Sequence, residues 1–301
     1  MNSLIKKSEA CRITAIVLTY NEKEYIRECL ESIKWCDDIW IVDSGSTDGT
    51  VDICKEYTKN IIVRPFKNFA EQKNWAIINL PIHTEWIIFV DSDERVSPEL
   101  REEIIRTLAE RPAVDGFHIP FKQFFWGKCL IHGGAWPNYV LRLFRKGKGY
   151  YLDHEVHEPL ILIGKAGFLK NPIIHIARSS LHEAIAKLNL YTSFEAIRMY
   201  RKKEGLYPVL PSDSNLKKTL KKIFDRVPFK PLAKFLWDFI ILQGFRDGYI
   251  GFVWAALQSF YVFSAYFKLW ELKEGITTVE QLQSYVENYT KKEEMFFLEK
   301  Q

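Results

Sequence analysis

The chain is poor in sulphur, with 5 cysteines and 3 methionines in 301 residues. Cys11, Cys29, Cys36, Cys54 and Cys129 form no C-x-x-C pair and no even framework, which excludes a disulfide scaffold and points to a reducing compartment. No His/Cys pair has zinc-site spacing, which argues against zinc. Met1 to Arg12 is polar and the apolar run after it is short, so no secretory signal is expected and the catalytic part belongs in the cytosol. The dinucleotide fingerprint G-x-G-x-x-G and the Gly-rich triphosphate loop are both missing, which disfavours a nucleotidyltransferase. There is no internal repeat and no low-complexity segment.

What is present suits a globular protein: 47% hydrophobic and 27% charged residues, with a high 15% aromatic content. Net charge is +4 but unevenly placed. Arg201 to Lys234 holds ten Lys or Arg against three Asp or Glu. That asymmetry predicts a basic patch facing a membrane surface or another anionic partner.

Strand and helix alternate along the first hundred residues. Ile13 to Leu18, Ile39 to Val42, Ile61 to Val63 and Trp86 to Val90 are short, apolar and mostly β-branched, as buried strands are. Helices are predicted over roughly Glu22 to Lys34, from about Thr50 to Tyr57, over Asn68 to Leu80, and after Ser97-Pro98, where Ser caps and Pro takes the first helical position. The alternation predicts an α/β domain with a mostly parallel central sheet flanked by helices. Strands are also expected at Phe117 to Phe121, Tyr139 to Phe144 and Ile173 to Ile176. A long helix then begins at Ser179 or Ser180, with Leu181, Ile185, Leu188, Tyr191 and Phe194 on one side. Gly205 to Ser214 reads as a Pro/Ser-rich connection. Residues 1–178 are expected to form the catalytic domain and residues 179–301 a C-terminal helical region.

Ligands of open α/β sheets collect at the carboxyl ends of the strands. Three polar segments fall there. Leu18-Thr19-Tyr20-Asn21-Glu22 ends the first strand. Asp43 ends the second and could accept hydrogen bonds from a base imide or a ribose hydroxyl; it could equally form a turn. Asp91-Ser92-Asp93-Glu94 follows the fourth. Two carboxylates one residue apart make a hard-oxygen site for a divalent cation that also binds substrate phosphates. Thr19, Asn21 and Asp48 also fit simple helix caps.

Val17-Leu18-Thr19-Tyr20-Asn21-Glu22, Val42-Asp43-Ser44-Gly45-Ser46-Thr47-Asp48-Gly49-Thr50 and Asp91-Ser92-Asp93-Glu94 together resemble the signature of family 2 inverting glycosyltransferases with the Rossmann-like GT-A fold. The resemblance covers about Arg12 to Glu158. It implies a nucleotide-sugar donor, most often UDP-linked, and a Mg²⁺ or Mn²⁺ ion. By that likeness Thr19, Asn21 and Asp43 hold the base and ribose, and Asp93 with Asp91 holds the metal and ribose-phosphate. Lys73 and Asn74 match a basic-Asn pair near the donor, or simply form an exposed helix face.

A second acidic cluster is Asp153-His154-Glu155-Val156-His157-Glu158. Inverting displacement needs a general base on the face opposite the departing diphosphate. Glu158 is the first choice by position, with Glu155 and Asp153 as alternatives because the sequence has His-Glu where relatives carry Glu-Asp. His157 is a further metal ligand or an orienting group. His175, flanked by Ile174 and Ile176, is another candidate ligand or an ordinary strand histidine. The Gly- and Trp-rich loops around Trp126 and Trp136 pack in a core or form an acceptor wall.

Lys217 to Phe224 opens a basic helical part. Phe235 to Trp270 then has 13 aromatics in 36 residues, and Gly248 to Phe267 is twenty residues without charge. That length could span a bilayer. Three tyrosines, Gln258, Ser259 and Ser264 favour helices lying in the membrane interface instead, at the cytoplasmic face of the inner membrane. The alternative is a helical subdomain closing over the catalytic part. This arrangement, with Gly244-Phe245-Arg246-Asp247-Gly248 and Lys187 to Thr192, resembles the bacterial lipopolysaccharide core β-glucosyltransferase branch. The implied activity is transfer of a hexose, glucose in the first instance, to a lipid-linked saccharide. A polyprenyl-phosphate sugar transferase and a catalytically silent carbohydrate-binding or scaffold protein are the rivals. No nucleic-acid partner is expected.

Overall fold

The β-branched segment Ile13–Thr19 forms β1, buried along almost its whole length because β2 (Asp38–Asp43) and β4 (Trp86–Phe89) flank it and helices cover both faces. In this computed structural model residues 12–152, 159–177, 180–203 and 229–285 are described. Two compact units divide the chain: Met1–Ile131 with Ala135–Arg178, and His132–Gly134 with Ser179–Gln301.

In the first unit β3 (Ile61–Val63) pairs with β2, and β1 to β4 all run parallel. The sheet continues through β5 (Glu94–Val96), β6 (Gly116–Phe125), β7 (Lys128–Cys129), β8 (Asn138–Arg145), β11 (Ala166–Phe168) and β12 (Ile173–Ala177). Its order is β3-β2-β1-β4-β8-β6-β12-β5, with β7 and β11 also paired to β6. It is therefore parallel in the half that carries β1 to β4 and mixed beyond. There β8 runs antiparallel to both β4 and β6, and β5 runs antiparallel to β12. A separate hairpin joins β9 (Gly149–Tyr151) to β10 (Leu160–Leu162), and its neck is closed where Leu152 N–H donates to the Pro159 carbonyl at 3.2 Å.

The helices follow the expected order. In α1 (Ile26–Ile33) the buried residues Ile26, Cys29, Leu30 and Ile33 recur at helical spacing. Each such side chain contributes about 1.5–3 kcal/mol on burial. The helix starts four residues later than expected, because Asn21 takes a left-handed φ of 53° and the Glu22 carbonyl accepts both Tyr25 N–H and Ile26 N–H in a turn. A short helix, α2, spans Thr50–Lys55. Asn68 caps α3 (Phe69–Asn79) by accepting Glu71 N–H at 2.8 Å, and Ser97 caps α4 (Pro98–Ala109) by accepting Leu100 N–H at 3.2 Å. α3 is unusual: its buried residues include the polar Gln72 and Lys73.

The second unit contains α5 (Leu181–Lys203), α6 (Lys230–Leu236), a π-helical turn (Trp237–Ile241), a 3-10 turn (Gly244–Asp247) and α7 (Gly248–Lys273). The buried stripe of α5 is Leu188, Thr192, Ser193, Ala196 and Ile197; the expected Leu181, Ile185 and Tyr191 are exposed. The reason is polar. Lys268 of α7 donates from Nζ to Asn189 O and Oδ1, Thr192 Oγ1 and Ser193 Oγ, which draws that hydroxyl-bearing face inward. Gly251 lies so close to the 3-10 turn that a Cβ there would clash with the Gly244 carbonyl oxygen. Asp247 accepts His132 N–H at 2.8 Å. The Pro/Ser-rich connection and the Lys217–Phe224 basic segment lie outside the described residues.

Candidate active site

β1 and β2 are in register with Thr19 beside Asp43, so the parallel pairing itself brings these two residues together. Thr19 Oγ1 donates to Asp43 Oδ1 at 2.9 Å. Asp43 Oδ2 accepts Gly45 N–H at 2.8 Å and Ser46 N–H at 2.7 Å, and the Ser46 hydroxyl donates to Oδ1. Asp43 is fully buried. Four donors thus occupy its two oxygens, close to the full acceptor capacity of a carboxylate. In this arrangement Asp43 builds the loop that follows it. The same loop fixes Asn21, whose N–H donates to Ser46 Oγ at 2.9 Å and whose Oδ1 accepts Thr47 N–H at 2.9 Å. Asp48, one residue before the N-cap Gly49 of α2, accepts Lys23 N–H at 3.0 Å and Thr50 N–H at 2.9 Å.

From α3 three polar residues face this end of the sheet. Gln72 Nε2 donates to Ser44 Oγ at 3.0 Å, and Arg64, itself held by two 2.8 Å bonds to Glu71, donates to Gln72 Oε1 at 3.1 Å. Lys73 is 6% exposed, with Nζ 5.0 Å from the Tyr151 ring centre. Asn74 spends both ends of its amide on the Tyr151 backbone: Nδ2 donates to the carbonyl at 2.7 Å, and Oδ1 accepts the N–H at 2.8 Å. Neither residue lies on an exposed helix face. Asn74 anchors β9.

β4 and β2 both flank β1, so Asp43 and Asp91 leave the same end of the sheet two strands apart, about 10 Å at ordinary strand spacing. The two acids of the Asp91-Ser92-Asp93 turn have different partners. Asp91 Oδ2 accepts Arg142 Nη2 at 2.8 Å, and the same nitrogen donates to Glu94 Oε1 at 2.6 Å. Burial works to raise the Asp91 pKa, but Arg142 and then Lys73 outweigh it and hold the carboxyl well below its usual range. Glu94 is pushed well above that range by burial, opposed by Arg142 and reinforced by the Asp91 charge. Burial also works against the charge on Arg142, and its two carboxyl partners more than offset that.

Asp93 is 38% exposed, and its Oδ2 lies 3.0 Å from His175 Nε2 on β12. Antiparallel pairing of β12 with β5 sets this contact, with His175 opposite Glu94. At 3.0 Å Asp93 and His175 share a hydrogen bond, and the histidine tautomer decides which of them donates. His175 Nδ1 is buried and finds no partner among the described residues. Among those residues no group of three or more His, Cys, Asp or Glu is arranged to hold a metal, so Asp93 and His175 are the pair available, and a cation there would need further ligands from substrate or water. Asp153, Glu155, His157 and Glu158 lie outside the described residues.

Arg142 and Glu94 had no assigned role from sequence. The signal for Arg142 was its place between Leu141 and Leu143 in an apolar strand, where a buried guanidinium demands an acid.

Residues 14–161 match the model of the family described as glycosyl transferase family 2. The chain is 27% identical over 266 residues to the lipopolysaccharide core biosynthesis glycosyltransferase LpsC of Rhizobium meliloti, covering 86% of this chain and 92% of that one. It is 26% identical over 291 residues to an uncharacterized glycosyltransferase of Rickettsia typhi, covering 92% of this chain and 93% of the relative. Among solved structures, Staphylococcus aureus TarS residues 1–349 in complex with UDP aligns over 88% of this chain and 92% of that one, at 16% identity and a TM-score of 0.44. The chain belongs to glycosyltransferase family 2, and is an enzyme of that family with a mixed α/β, GT-A-type fold.

Proposed function

We propose that this enzyme is an inverting, divalent-metal-dependent hexosyltransferase that moves glucose from UDP-glucose to a lipid-linked saccharide, such as a lipopolysaccharide core. The observation that carries the reading is the Asp93–His175 pair, 3.0 Å apart, at the sheet end where the Thr19–Asp43 loop also opens. Asp93 and His175 would hold Mg²⁺ or Mn²⁺, which when bound supplies Lewis-acid neutralisation of the departing diphosphate. Lys73 adds positive charge on the Asp91 side. Thr19 and Asn21 shape the base and ribose end through the Asp43 loop. Glu158 takes the proton of the acceptor hydroxyl, with Glu155 or Asp153 as the alternative base. The alignment with LpsC over most of both chains supports the saccharide acceptor.

The second unit supports a peripheral place at the cytoplasmic face of a membrane. Among the described residues one helical stretch, Gly244–Lys273, is long and apolar enough by length and composition to cross a bilayer. Large apolar side chains stand in solvent on and before it: Phe229, Trp237, Ile240, Ile241, Phe245 and Tyr249. Aromatic residues beside Lys230 and Lys234 suit the headgroup region better than the hydrocarbon core.

A thermal-shift screen of sugar nucleotides with and without Mn²⁺ tests the donor. UDP-glucose with Mn²⁺ at a hundred times its Kd should stabilise the fold by about 2.7 kcal/mol. Asp93→Ala should remove the Mn²⁺-dependent part. No stabilisation by any sugar nucleotide, or a full Mn²⁺ effect in Asp93→Ala, defeats the proposal.

A further inference from the structure

The turn after β4 has three acids in four residues, and the protein treats them unequally. The Asp93 side chain hydrogen-bonds His175 at 3.0 Å. Asp91 and Glu94 converge on one terminal nitrogen of Arg142, at 2.8 and 2.6 Å. Arg142 is 8% exposed and Glu94 1% exposed, so the guanidinium and Glu94 lie inside the protein, while Asp91 reaches out from them with a side chain 39% exposed. The Phe121 ring covers the guanidinium at 5.6 Å. β8 pairs directly with β4, with Leu143 opposite Ile88, so the sheet register fixes where Arg142 stands relative to the turn. Glu94 closes the turn from within by accepting Asp91 N–H on Oε2 at 3.0 Å. Arg95 clamps its backbone from outside by donating to the Ser92 and Glu94 carbonyls, each at 2.8 Å.

We propose that Arg142 is a positioning residue for the cation site: it engages Asp91 Oδ2 together with Glu94, and so leaves Asp93 and His175 as the protein ligands of the cation. The inference rests on the reading of a cation at Asp93. A guanidinium has the several donors and the planar shape to engage two carboxyls at once, whereas an ammonium is a point charge. The consequence is a cation held by few protein ligands, with positions left open for the diphosphate. Mg²⁺-type sites use this arrangement, binding through one or two carboxylates plus substrate phosphates.

The position makes a prediction of unusual sign. Losing Arg142 should strengthen binding of the bare cation, because Asp91 becomes free to serve as an additional ligand. A merely structural role predicts unchanged or weaker binding. The double variant Arg142→Gln with Glu94→Gln keeps hydrogen-bonding groups in the pocket, and the carboxylate it frees, Asp91, is partly exposed to water. Arg142→Lys is the second variant, should the double variant not fold. Mn²⁺ binding to the full chain is measured by electron paramagnetic resonance, with and without UDP.

The double variant should bind Mn²⁺ alone at least fivefold more tightly than the parent, and UDP should enhance that binding less. Arg142→Lys should fall between the two. Asp93→Ala in the parent should abolish binding. Unchanged or weaker Mn²⁺ binding in the folded Arg142 variants, with the parent still sensitive to Asp93→Ala, overturns the role of Arg142 and leaves the cation site standing. A parent that binds no Mn²⁺ even with UDP overturns the cation site, and the role of Arg142 falls with it.

Discussion

Asp43 gives the sharpest contrast between a residue that builds a site and one that touches substrate. Its four donors are two backbone N–H groups and two hydroxyls. Asp43→Asn can keep all four contacts. The amide oxygen takes Gly45 N–H and Ser46 N–H, while the amide NH₂ faces the Thr19 and Ser46 hydroxyls, which rotate to accept. What is lost is charge assistance, about 1 kcal/mol per bond, partly offset because a charge is no longer buried, for a net of about 1–2 kcal/mol. Asp43→Ala strands the two backbone N–H groups, at about 1–3 kcal/mol each, and so costs about 2–6 kcal/mol. Urea denaturation ranks the variants, and titration with UDP and Mn²⁺ reads the site. The Asn variant should bind UDP within about tenfold of the parent, a difference of about 1.4 kcal/mol. Equal destabilisation by Asn and Ala would refute the hydrogen-bond accounting. A stable Asn variant with UDP binding reduced by orders of magnitude would refute the loop-building role itself.

Glu158→Gln should leave donor binding intact and lower turnover by about 10²–10⁴-fold, the usual contribution of a general base; if Glu155→Gln does so instead, the base is Glu155. Replacing Trp237, Ile240 and Ile241 together with Glu should leave the far-UV spectrum unchanged and abolish co-sedimentation with anionic vesicles, and retained sedimentation would remove the interfacial reading. His118, stacked on Phe168 at 4.9 Å, has a pKa lowered by burial. Its neutral form is favoured in the fold, so stability should be full above the unfolded value of about 6.5 and decline as pH falls through the lower folded value. Denaturation midpoints across that window should show the decline, and His118→Phe should flatten it; an equal slope in both proteins would contradict the assignment.

The half of the fold that carries the donor-side segments was legible because β1, β2 and β4 are buried on both faces. Such strands announce themselves as short β-branched runs ending in polar turns. β5 was not legible. Glu94–Val96 is three residues long and begins with two charges, and it becomes a strand only because β12 pairs with it. For the same reason the contact between Asp93 and His175 could not be read from spacing: 82 residues separate them, and sheet order alone brings them together. The exposed-face alternative for Lys73 and Asn74 failed on tertiary grounds, since α3 buries polar side chains against Tyr151 and Ser44. The face of α5 was misjudged because hydrophobicity ranks Tyr191 above Thr192, while the half-buried ammonium of Lys268 on α7 reverses that order.

The neck at Leu152 and Pro159 is moored to α3 through Asn74, whose amide takes both the carbonyl and the N–H of Tyr151. Any shift of α3 therefore carries the β9–β10 hairpin with it.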